Sequence, residues 1–292
     1  MNKGIVGILI GITLSVSQMA TVVTAAPGEA EFLFSNDSDG VTSYSYKIGT
    51  ANEENPLNFT FYHTKLSQSN TTINEQVLLG KWVRPLSDQA NVTLWTGFLK
   101  NDIRNFVSYA AMYDTNVKED DHIWFSYGHE AVGTVEAHRK GISTNTMTLS
   151  YLHKPAEDVE VIVTAAHSAY SGVNKNNQKK FDLSLGKQFS ERFKLGVAYG
   201  YNSADHLGSP DYYVPVQESV FSIVPEYNIP IGTGKMIITG KRSLTGHNHT
   251  GSIQYYSIGG ELVFDSISLG GKYLKAGDYS SRTWQINWNR QL

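Results

Sequence analysis

Cysteine is absent from the chain. A domain of this size without disulfides is held by its core or by its hydrogen-bond ladder, which is common among envelope proteins of double-membrane bacteria. Proline is scarce, at 8 residues, so few positions forbid a strand. No charge of one sign dominates either. The 24 Lys and Arg against 27 Asp and Glu leave a formal net charge of −3 and a pI near 6.3, which offers nucleic acid no basic footprint. Beyond the first 25 residues no apolar run approaches the roughly 20 residues of a membrane helix. The chain is therefore either soluble or crosses a membrane as a closed barrel, the only other spanning structure that satisfies its own backbone.

What is present begins with "MNKGIVGILIGITLSVSQMATVVTA". One basic residue, Lys3, precedes an apolar run from Ile5 to Val16, and small residues end at Val23-Thr24-Ala25. This reads as a cleavable signal peptide over 1–25, leaving 26–292 as one domain. Cleavage after Ala26 would put Pro27 first. A membrane anchor is the alternative, but the run is too short and too rich in Gly, Ser and Thr. Tyr at 17 and Gly at 26 are plentiful, a composition that suits long strands with aromatic girdles.

From Glu29 onward one theme repeats: segments of alternating polarity, each closed by Gly, Asn, Asp, Ser or Pro. About sixteen are predicted. They run 30–36, 42–49, 57–66, 72–83, 90–99, 105–114, 121–129 and 143–153, then 159–170, 180–189, 193–202, 215–227, 235–243, 252–264, 266–275 and 282–292. In 193–202, Phe193, Leu195, Val197, Tyr199 and Tyr201 share one face, and Lys194, Gly196, Ala198, Gly200 and Asn202 the other. The final segment sets Trp284, Ile286 and Trp288 against Thr283, Gln285 and Asn287. A soluble sandwich alternates in the same way. Segment length favours a membrane barrel, because tilted spanning strands need about nine to eleven residues and soluble strands peak near five or six. The connections agree, being short after even-numbered segments and often longer after odd ones ("EAVGTVEAHRKGI", "SGVNKNNQ", "SADHLGSPDYYV", "LTGHNHTG"). The expectation is an all-β, antiparallel outer-membrane barrel of about 16 strands, exported to the cell outer membrane, with outer-membrane lipid around it.

Catalytic and metal motifs do not emerge. There is no Gly-x-Ser-x-Gly, no His-Glu-x-x-His and no phosphate-cradling loop. "GHEAVG" lacks the second histidine of a zinc site, and "HNH" at 247–249 has no further ligand beside it. His129, His153 and His167 would need a nucleophile and an orienting group brought to them across strands. No catalytic residue, metal or cofactor is therefore assigned. The charged residues Lys47, Glu160, Asp182, Lys194, Glu261 and Lys272 fall on the inward parity, with Trp124 and Tyr255, and are the candidates to line a polar lumen. Facing lipid, each charge would cost several kcal/mol near the midplane. The β pattern lapses at 130–142, where a short helix ended by Gly141 fits, with Glu136, Arg139 and Lys140 on its polar side. It is either an exposed loop or a constriction folded into the lumen.

About sixteen strands, "EAVGTVEAHRKGI" after the seventh and "DYYVPVQESVFSIVPEYN" (211–228) at the twelfth together resemble the C-terminal barrels of bacterial exopolysaccharide-export porins. The stand-alone YaiO-type outer-membrane β-barrel is similar in length. In such porins the barrel follows a periplasmic tetratricopeptide superhelix and passes cellulose or poly-N-acetylglucosamine. This sequence shows no tetratricopeptide stretch, so the resemblance implies a separate periplasmic feeding partner. It also ends in Leu292, where outer-membrane proteins usually end in an aromatic residue. The reading is a pore for polysaccharide or polar solutes. The alternatives are an outer-membrane enzyme acting on lipid or surface glycan, and a structural or adhesive barrel with a plugged lumen.

Overall fold

The computed structural model describes residues 29–37, 41–49, 57–68, 71–132, 135–172, 175–205, 216–247, 251–264 and 267–289. The expected signal peptide, residues 211–215 of the aromatic-proline segment, residues 248–249 of "HNH" and the last three residues lie outside these.

Sixteen strands follow one another. They are β1 Glu29–Asp37, β2 Val41–Gly49, β3 Leu57–Gln68, β4 Thr71–Ser87, β5 Ala90–Asn101, β6 Asn105–Lys118, β7 Asp121–Ala131 and β8 Ser143–Ala156. The second half gives β9 Val159–Tyr170, β10 Asn176–Ser190, β11 Phe193–Ala204, β12 Gln217–Ile231, β13 Gly234–His247, β14 Gly251–Phe264, β15 Ile267–Ala276 and β16 Tyr279–Asn289. Among the described residues a short helix, α1 Val135–Arg139, lies between β7 and β8. Every strand pairs antiparallel with its chain neighbours, and β16 pairs with β1, so a single sheet closes on itself. That rules out the two-sheet sandwich.

The period of two sorts the residues. Phe32↔Ile286 and Phe34↔Trp284 meet on one face of the closing seam, and Leu33↔Gln285 and Glu31↔Asn287 on the other. Around the wall the first kind of face is apolar and open, with Leu149 52 %, Ile258 60 % and Trp284 60 % exposed. An apolar belt of this extent needs a lipid-like surrounding rather than water. Tyr256 and Phe264 bracket the belt on β14. Eight residues at about 3.3 Å, tilted by about 40°, put them roughly 20 Å apart across the bilayer, close to the height of an outer-membrane apolar band.

The two ends differ. Five connections after even-numbered strands are the pairs 88–89, 119–120, 157–158, 191–192 and 232–233. The first four each follow a register shift, at Pro85/Ser87, Asn116/Lys118, His153/Ala156 and Gln188/Ser190. The hairpins at this end are also joined to one another. Asn116 N–H donates to Gln89 O at 2.8 Å, Lys154 to Asp120 at 2.9 Å, Gln188 to Asp158 at 2.8 Å and Asn228 to Arg192 at 2.7 Å. The opposite end carries the longer connections, α1 among them. Two are shorter than their sequence suggests. "SGVNKNNQ" gives its last three residues to β10, and "LTGHNHTG" loses four to β13 and one to β14, because strand pairing continues past the apolar belt where polar residues still supply backbone partners.

Candidate functional site

The barrel interior is polar. Ser35 meets Ser43 at 2.7 Å, Thr146 meets Ser168 at 2.9 Å, Ser150 meets Thr164 at 2.9 Å and Ser222 meets Ser243 at 2.8 Å, each across one strand gap on the inward face. The eight side chains expected on this face all sit at positions of that parity. Lys47 stands between Glu31 and Tyr62 in the register. Trp124 lies between Asp114 and Ser150, and Tyr255 sits with Thr245 and Glu218.

Glu160 and Lys194 form an ion pair that spans the strand between them, Lys194 Nζ to Glu160 Oε1 at 2.5 Å. The residue under that bridge is Gly186, where an added Cβ would stand 2.8 Å from Glu160 Oε1 and 3.2 Å from Lys194 Cε. Asp182 leans over Gly200 in the same way, its Oδ1 2.7 Å from a Cβ built there, with Lys180 and Lys241 as its nearest charges. Lys272 reaches across Gly259, and Glu261 lies beside Gly270. Interior glycines thus make room for long charged side chains to lie along the wall.

Parity also puts further residues on this face. Glu75, Lys81, Trp95 and Lys241 belong to it, and alternation alone could have identified each of them. Trp95 neighbours Lys81 across one strand gap and Ala110 across the other.

At the long-loop end, α1 turns inward. The helix ends in a Schellman arrangement: Gly141, at φ 66°, donates its N–H to His138 O at 3.2 Å, and Ile142 N–H reaches Ala137 O at 2.9 Å. This stop folds Ile142 back onto Ala137. With Val132 they form a buried apolar cluster packed against Tyr170 of β9 and Ala204 of β11.

The other side of the loop is tied to β4. His138, only 4 % exposed, places Nε2 3.3 Å from Glu75 Oε2. Arg104, in the β5–β6 connection, donates from Nε to His138 Nδ1 at 3.1 Å and from Nη2 to Ile142 O at 2.9 Å. Asn101 shapes that connection by accepting the Ile103 and Arg104 N–H groups at 2.9 and 2.8 Å. Burial lowers the Arg104 guanidinium from its ordinary value while Glu75 raises it.

Because guanidinium can only donate, it fixes His138 as an Nδ1 acceptor with the proton on Nε2, facing Glu75. Both ring nitrogens are then occupied, and the couple tethers α1 to β4 and to the β5–β6 connection. On the free side of α1, Glu136 meets Arg139 at 3.4 Å and Lys140 at 3.8 Å, all three well exposed. Sequence reasoning located the helix and these three charges. It missed Glu75, Arg104 and His138, because nothing local signals contacts between a strand and two separate connections.

The sequence matches no protein-family model, and no curated protein matches it. Among solved structures, a bacterial polysaccharide outer membrane secretin is similar at a TM-score of 0.71 and 10 % identity, covering 91 % of this chain and 99 % of that one. CdiB from Acinetobacter baumannii is similar at 0.65 and 8 %, covering 92 % of this chain and 60 % of that one. OccK3 (OpdO) from Pseudomonas aeruginosa is similar at 0.59 and 8 %, covering 90 % and 94 %. The resemblance read from the sequence is thus met by the fold.

Proposed function

We propose that the chain is a passive outer-membrane pore for polar solutes, with α1 and its flanking residues as the constriction. The observation that carries this is the two-faced closed wall, apolar outside and polar inside, with both signs of charge inward. A water-filled lumen accommodates such charges cheaply, and a mixed set hydrates a passing polar solute without strongly favouring either ion. Lys47, Glu160, Asp182, Lys194, Glu261 and Lys272 line the path, and Trp124, Trp95 and Tyr255 supply ring faces on which sugars stack. Val132, α1 and Ile142 narrow the mouth, leaving Glu136, Arg139 and Lys140 toward the open part.

Polysaccharide export is the finer reading, supported by the likeness to the polysaccharide secretin and by the inward aromatic residues. It calls for a periplasmic partner to deliver the polymer. Planar-bilayer recording of the purified chain tests the pore, with stepwise, voltage-stable conductance expected and a silent, folded barrel overturning it. Slowed current on adding linear β-linked oligosaccharides, but not a neutral polymer of equal size, supports the glycan.

A further inference from the structure

We propose that the outer wall of β13–β16 holds a binding site for the phosphate headgroup of a phosphorylated membrane glycolipid, built from Arg242, Lys275 and Arg282. These residues are outward by register. Arg242 and Lys275 flank Tyr256 on either side, and Arg282 pairs with Tyr273, two residues along from Lys275. Two strand gaps separate Arg242 from Lys275, about 10 Å, and Arg282 lies diagonal to Lys275 at roughly 7–8 Å. Three flexible cations therefore converge on one headgroup-sized area.

All three are exposed, and none has a carboxylate partner among the described residues. The outward positions of β13–β16 among the described residues carry no acid at all. Arg242 also stacks over the Tyr256 ring at 5.6 Å, which holds its guanidinium near the wall.

The height of the cluster identifies the occupant. Ile258 lies one register row beyond Arg242 and Lys275 toward the middle of the wall, in the row of Arg282, and Trp284 lies one row beyond Arg282; each is 60 % exposed. Trp284 lies against Gly271, where an added Cβ would stand 3.0 Å from the ring. Indole and tyrosine rings mark the boundary between acyl chains and headgroups, and lipid-facing charge is tolerated only near that boundary. An acyl chain along Ile258 and Trp284 puts its phosphate among the three cations. The end concerned is the long-loop end, which faces the outer leaflet in an outer-membrane barrel. A diphosphorylated glycolipid of the lipid A type matches this charge. The inference needs the barrel to sit in a membrane but does not need it to conduct.

The test titrates the full chain in zwitterionic detergent with diphosphoryl lipid A and with phosphatidylglycerol, reading bound lipid by native mass spectrometry. Near an anionic surface each basic residue is worth about fivefold, so R242Q/K275Q/R282Q loses on the order of a hundredfold in lipid A affinity. The variant K65Q/K100Q/K179Q, which removes three other outward cations, stays within about twofold. Equal binding of phosphatidylglycerol, equal loss in the second variant or no loss in the first overturns the site. Heat-modifiable migration reports folding. If the triple variant does not fold, the three single substitutions are read instead, and the absence of loss in all three overturns the proposal.

Discussion

Removing the Arg104 side chain is the sharpest probe of the loop. R104A deletes two hydrogen bonds from a charged donor, to His138 Nδ1 and to Ile142 O, and strips a cation from above the Phe106 ring at 4.9 Å. Bonds to charged groups are worth about 1.5–3 kcal/mol each, so the docked loop loses roughly 3–6 kcal/mol, a hundredfold or more in its docked-to-undocked ratio. Arg104 lies outside the strand ladder, so the barrel itself should keep its heat-modifiable migration.

The effect on current follows from geometry. Sixteen strands about 4.8 Å apart and tilted about 40° give a circumference near 100 Å and a backbone diameter of about 32 Å. Inward side chains reduce the free width to about 20 Å, and a helix about 10 Å across fills around half of that. Undocking should therefore raise single-channel conductance by about half to twofold, with flickering between two levels. R104K keeps the charge but not the two-pronged geometry and should resemble R104A. Wild-type conductance and gating in both variants would refute the constriction.

Placing a lysine on one face of β8 or the other compares lipid with lumen directly. L149K, at the outward midpoint, should cost about 2–4 kcal/mol, and T148K, one residue away and inward, less than about 1 kcal/mol, in urea unfolding from bilayers. K194M leaves Glu160 unopposed, so the reversal potential in a salt gradient should shift toward cation selectivity, while stability falls by at most about 1 kcal/mol because both partners are a third exposed. G141V forces a branched side chain to φ 66° at about 1–2 kcal/mol, so trypsin should cut at Arg139 and Lys140 faster than in the wild type. Unchanged cleavage would argue against the helix stop.

The wall was legible because a strand repeats every two residues and each charged inward position declares its parity. Val159–Tyr170 runs over the expected span, and Phe193 and Asp121 begin their strands as read. Errors gather where polarity stops alternating. β4 continues to Ser87 and β6 to Lys118, beyond the expected ends at 83 and 114, since backbone pairing does not depend on alternating polarity. Asn176 and Gln178 look like loop residues but face inward as buried strand positions. β16 starts at Tyr279 rather than Arg282 because Gly277, at φ 60°, makes the turn. The tether from Glu75 through His138 to Arg104 was invisible, since the inward fold of the segment between β7 and β8, not spacing in the chain, brings His138 to β4 and to the β5–β6 connection.

The seam between β1 and β16 also bears on how the barrel is made. Every other pairing joins strands adjacent in the chain, whereas Gln285 donates to Glu31 across a separation of 254 residues. Closing that span rather than an eight-residue hairpin costs about 3 kcal/mol more in chain entropy, and contacts this distant in sequence form late. Until they form, Phe32, Phe34 and Trp284 border two raw sheet edges that any strand of matching register can extend. The nascent barrel is thus an open, self-adhesive sheet, and the last pairing made is the one that ends its capacity to polymerise.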